Sequence, residues 1–166
     1  MYLEKFLIEA ANLATTIEGH MLDQNFVESV LWMIPEYKRL PMLDSFLKRD
    51  DLSIDDQAWA REHRLIVMAS VRNEFKFQEF EEAHLAFMDW VTEHLPPERQ
   101  AIAFSNSSVW GWWLEQGRDD ILDMMDACLA SIPVTLDNKQ DRLFLARDIT
   151  MTIANRKDLE LSLIHI

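Results

Sequence analysis

The sequence predicts an all-α protein, a helical bundle of about six helices organised around one long helix at about residues 54–95. Three observations lead there. Only three glycines and five prolines punctuate 166 residues, and they fall between stretches of helical period. Within those stretches apolar residues recur at three and four, with no Val/Thr/Ile alternation that would read as a strand. Apolar residues make up 49% and charged residues 27%, the balance of a chain that folds around a core. The length suits one domain, expected to span residues 1–160.

Each element has its own signal. Leu3, Phe6, Leu7, Ala10, Leu13, Ala14 and Ile17 form one helical face, and Gly19 stands where that helix would end. Asn25 with Glu28 reads as a capping box for a second helix carrying Phe26, Val27, Val30, Leu31 and Ile34. Pro35 and Pro41 are expected to confine the next stretch to short turns. Ser53, with Asp56 three residues on, is the clearest N-cap, and the acidic residues after it suit the positive end of a helix. From there Trp59, Ile66, Asn73, Phe77, Phe80, His84, Phe87 and Val91 follow a seam up to Pro96-Pro97. The stretch reads as one long helix, or two in line, about 60 Å long if unbroken. Shorter helices follow: an AIAF turn, VWGWWLEQ capped by Ser107 or Ser108, and DILDMMDACLAS opened by Asp119. A last face from about Asn138 carries Leu143, Phe144, Ala146, Ile149, Ile153 and Ala154.

Charge and cysteine content narrow the partners. Sixteen basic against 29 acidic side chains give a net charge of −13, which repels nucleic acid and anionic lipid. The acidic pairs along the chain read as solvated helix faces and helix starts rather than as a mimic of a nucleic-acid backbone. Cys128, the single cysteine, makes no internal disulfide and no Cys-based zinc site; its spacing with Met124, Met125 and Ile132 is that of a core residue, and a reducing cytoplasm is the expected compartment. Glu4 and Glu9 interrupt any apolar leader, and no stretch reaches the length of a membrane span.

Two clusters hold the candidate chemistry. Glu81-Glu82-Ala83-His84 places a carboxylate and an imidazole on one helical face and resembles half of a ferritin-like di-iron carboxylate site. Such a site needs a second Glu-x-x-His, and none occurs before residue 161. The bland reading is a hydrogen-bonded interior His84 flanked by a surface Glu81, with His84 and Asn73 as polar seam residues that set helix register. The other cluster is SSVWGWWLEQG, with three tryptophans in four positions. Gly111 is expected to admit a close backbone. Helical geometry puts Trp113 about 60° and Trp112 about 200° from Trp110. Trp110 and Trp113 are therefore expected inside and Trp112 outside, where it would anchor a protein partner.

The final six residues, LSLIHI, break the polar-faced pattern. They can be written CTG-TCT-CTT-ATA-CAC-ATC, which resembles the transposase recognition end used to join adapters to DNA fragments in sequencing libraries. Residues 161–166 are accordingly expected to be a non-native tail, and the native chain to continue past Glu160. The functional expectation is a non-enzymatic helical interaction or regulatory domain of a microbial protein. It has no assigned catalytic, cofactor-binding or metal-ligating residue and no cofactor, and Trp112 is its partner-binding residue. The alternative is a ferritin-like metal-dependent enzyme whose second half-site lies beyond the truncation.

Overall fold

Ser53 caps the helix that organises the first half of the chain: its Oγ accepts from the Asp56 backbone N–H at 3.1 Å and donates to the Asp56 carboxylate at 2.6 Å. The computed structural model describes residues 24–96, 99, 100, 107–118 and 120–131, with the single positions 5, 9, 143 and 147. Among these residues the fold is all-α, without a strand: α1 Gln24–Met33, α2 Glu36–Phe46, α3 Ile54–Ser70, a 3-10 turn Arg72–Glu74, α4 Phe77–His94, α5 Ser107–Glu115 and α6 Asp120–Ser131. No described helix is long and apolar enough to cross a membrane. Apart from those single positions, the expected first helix to Gly19 and the 138–160 face lie outside the described residues, as do the AIAF turn, Asp119, the 161–166 tail and the surroundings of Cys128.

The chain divides into two compact units, Met1–Phe75 and Lys76–Ile166. In the first, Val27, Val30, Leu31 and Ile34 from α1 and its end, Met42, Leu43 and Phe46 from α2, and Trp59, Ala60 and Val67 from α3 form one buried cluster. Buried Asp56 ties this core's polar edge together, because Gln24 Nε2 donates to its Oδ1 at 3.1 Å and links the start of α1 to the start of α3. Arg64 of α3 reaches Asp44 of α2 at 2.9 Å.

Four expectations change here. Asn25 is not a cap: it lies inside α1, where its carbonyl accepts from Ser29 Oγ at 2.8 Å. Pro35 does end α1's run, and Arg39 Nε donates to the Leu31 carbonyl there at 3.1 Å. Pro41, however, sits within α2 instead of stopping it. An interior proline costs about 3 kcal/mol, whereas burying Met42, Leu43 and Phe46 returns about 1.5–3 kcal/mol for each side chain, so packing outweighs the missing hydrogen bond.

The third narrows the reading of 54–95 as one long helix or two. Residues 54–95 form two helices, because Val71 leaves the helical region, Arg72–Glu74 make the 3-10 turn, and Phe75 and Lys76 are extended. Neither glycine nor proline marks the break. Phe75 packs on the first unit's core, while Phe77 packs on Phe80, Trp112 and Trp113 of the second. Two aromatics two residues apart thus serve different cores, and the extended backbone between them lets each do so. Asn73, the expected seam residue, is exposed in the turn.

The fourth change concerns α5. Val109, Trp110, Trp112 and Trp113 are all buried, Trp112 with only 4% of its surface exposed. The outward orientation expected for Trp112 is wrong. Trp113 occupies the middle of an arc of about 160° from Trp110 round to Trp112, and α4 covers the whole arc with Phe77, Phe80 and His84. The helix closes on a left-handed glycine: Gly117 has φ 69°, its N–H donates to the Leu114 carbonyl at 2.9 Å, and the Arg118 N–H donates to the Trp113 carbonyl at 3.2 Å.

Candidate functional site

His84 is buried because it falls with Phe80, Phe87, Met88 and Val91 on the inward stripe of α4. Its ring is 2% exposed and stands edge-on to Trp110 and Trp113, with centroids 4.6 and 5.7 Å away. Trp113 Nε1–H donates to His84 Nδ1 at 2.8 Å. An indole nitrogen only donates, so Nδ1 carries the lone pair and the neutral ring bears its hydrogen on Nε2. Burial pushes the imidazole down to about 3, and it is uncharged at neutral pH.

Above it, Glu81 receives a hydrogen bond from Arg118, whose guanidinium also binds Asp120 at 2.7 and 2.9 Å and lies 5.0 Å from the Trp113 ring centre. The hydrogen bonds to Asp120 and Glu81 raise the guanidinium pKa, and Arg118 in turn holds the Asp120 carboxyl below its usual range. This one arginine fastens α4, the end of α5 and the start of α6.

The Glu81-x-x-His84 pair does not fit a metal. Its carboxylate already faces a fixed cation, and the imidazole tautomer set by Trp113 leaves no nitrogen lone pair free. Among the described residues no group of three or more His, Cys, Asp or Glu side chains converges as a metal site would require. The bland reading of His84 as a hydrogen-bonded interior residue therefore describes the geometry. Glu81 is more than a surface charge, since it anchors Arg118.

The first unit presents a different surface. Around α1 the buried residues Val27, Val30, Leu31 and Ile34 occupy one side; Asn25, Phe26, Ser29, Trp32 and Met33 occupy the opposite side and are exposed. This outer strip carries no charge. Glu28, the only ionisable residue of α1, sits on its flank 3.7 Å from His63. Met33 in this strip is 65% exposed, and Tyr37 beyond Pro35 is 67% exposed. Arg39 lies 4.9 Å from the centre of the Trp32 ring while bound to the Leu31 carbonyl and 3.8 Å from Glu36, so it holds that ring in place.

Sequence reasoning placed the partner anchor at Trp112 and missed this strip. Its signal was present: five outward positions at helical spacing without a single charge, in a chain where 27% of residues are charged. Comparison of the chain with protein-family models, with curated proteins and with solved structures gives no match.

Proposed function

We propose that this chain is a non-enzymatic helical interaction domain that associates with a second copy of itself through the outer strip of α1. The observation that carries the reading is the uncharged face Asn25, Phe26, Ser29, Trp32 and Met33 on a chain of net charge −13. Two such chains repel wherever acidic faces meet, and this strip offers an approach without like charges. A two-fold contact is self-complementary. Antiparallel α1 helices crossing at Ser29 would set Phe26 against Trp32 of the partner and Asn25 against Met33. Ser29, being small, lets the helices come close. Tryptophan, tyrosine and arginine are the residues most enriched at energetically dominant interface positions, and fixing Trp32 beneath Arg39 lowers the ordering cost on binding.

Sedimentation equilibrium of the full chain tests this. The wild type is expected to form dimers in the micromolar range, and Ser29→Arg, which faces two cations at the two-fold, is expected to be monomeric with an unchanged helical circular dichroism spectrum. A monomeric wild type at about 100 μM, or an equally dimeric Ser29→Arg, overturns the proposal.

A further inference from the structure

A separate observation, the hydrogen bond between Trp113 and His84, carries the next step. We propose that His84 is an acid-sensitive latch on the tryptophan cluster: a proton taken up from solvent at Nδ1 breaks the Trp113 bond and opens the packing of α5 on α4. The chemistry is local. Protonated imidazole is a donor at both nitrogens, so uptake at Nδ1 sets an N–H against the indole N–H across 2.8 Å. The two donors repel, and Trp113 has no second acceptor role to offer.

Nothing described around the ring compensates the new charge. Its own helix presents Phe80 and, one turn earlier, Glu81, whose carboxylate is turned to Arg118. From α5 come the rings of Trp110 and Trp113. The Arg118 guanidinium lies 5.0 Å from the Trp113 ring centre and is itself neutralised by Glu81 and Asp120. Among the described residues no carboxylate forms an ion pair with His84. A buried cation without a counter-ion is strongly disfavoured.

The direction with pH follows. His84 binds its proton more weakly in the closed unit, at about 3, than in an open chain, at 6.5. Closure is complete above the open-chain value and weakens as pH falls toward the closed one. Linkage puts the loss of the closed:open ratio between pH 8 and pH 5 at about 30-fold. Opening would bring Trp110, Trp112 and Trp113 to solvent, which is how a cluster buried at neutral pH becomes a contact surface in acid.

Amide hydrogen exchange of the full chain measures this. After correction for the intrinsic pH dependence of exchange, residues 107–115 are expected to lose protection about 30-fold between pH 8 and pH 5. The Trp113 indole N–H resonance should weaken in step. In His84→Asn the side-chain oxygen can accept from Trp113 but takes no proton, so protection should stay flat. Equal acid sensitivity in wild type and His84→Asn overturns the latch. Should His84→Asn not fold, the wild type decides alone: opening that takes up one proton over this range supports the latch, and protection independent of pH sinks it.

Discussion

Each of the two units buries a histidine against tryptophan, and the two histidines use Nδ1 in opposite roles, His63 as a donor and His84 as an acceptor. His63 stacks on Trp59 at 4.2 Å, and its Nδ1–H donates to the Trp59 carbonyl at 3.0 Å. That leaves Nε2 as the site of protonation, 3.7 Å from Glu28. His84 instead accepts at Nδ1 from an indole that can only donate. Burial lowers both pKa values; the Trp59 carbonyl and Glu28 partly offset it for His63, and nothing offsets it for His84. Residue type and depth are therefore poor guides to a buried histidine's chemistry. The polarity of its partner atom decides, together with whether a carboxylate is within reach.

The largest expected effect contrasts exposed and enclosed tryptophan. Trp112 lies 4.4 Å from the Phe80 ring and 5.8 Å from Phe77, almost wholly buried. Trp112→Ala is therefore expected to destabilise the second unit by about 3–5 kcal/mol. Trp32→Ala, at a site 40% exposed, should change stability by less than about 1 kcal/mol. Urea melts of the two variants make the comparison. A Trp112→Ala loss as small as that of Trp32→Ala would mean the ring is not enclosed in solution.

How far the sequence carried these assignments depends on the range of the interaction. Ser53 and Asp56 were legible because a cap is a contact across three residues. Pro96 was legible as a stop because its effect is steric and local. The break after Ser70 was not, since the apolar seam continues in period through Phe77 and no breaker residue marks the turn. It exists because Phe75 and Phe77 join different cores, a tertiary fact. Pro41 was over-weighted for the same reason, local cost being visible and packing gain not. At the site, the Trp113–His84 bond spans 29 residues, and no spacing rule reaches that far. Trp112 failed on an assumption: a helix was taken to bury one face, yet VWGWWL carries no polar side chain until Glu115, which is the pattern of a helix buried on most sides.

A smaller effect tests how closely α5 is surrounded. Gly111 was expected to mark a close backbone approach, but a Cβ built there meets nothing within 4 Å. It is an ordinary helical position between buried tryptophans, and its cost is the flexibility glycine brings to the unfolded chain. Gly111→Ala is expected to stabilise the second unit by about 0.5–1 kcal/mol. Destabilisation in a thermal melt would show that something closes on α5 at this point.

The smallest effect bears directly on the two histidines. Glu28→Gln removes the carboxylate charge beside His63 and leaves a side chain of the same size, which makes the first unit's histidine more like the second's. Burial already holds the His63 pKa below its ordinary 6.5, with Glu28 among the groups pulling it back up. Loss of that charge should therefore lower it further. The sign for stability is the same as for His84: the folded unit holds its proton less tightly than the unfolded chain, so stability is complete above about pH 6.5 and declines as pH falls toward the folded-state pKa. Lowering that pKa extends the declining range downward. At pH 8, where His63 is neutral in both states, the substitution of this half-exposed residue should cost no more than about 0.5 kcal/mol. At pH 5 the variant should fall measurably behind the wild type. A ring-proton titration of His63 by NMR supplies the direct check, with the midpoint expected to move down in Glu28→Gln. An unmoved midpoint would mean that the 3.7 Å contact carries no useful electrostatic interaction, and that the carbonyl of Trp59 alone separates His63 from His84.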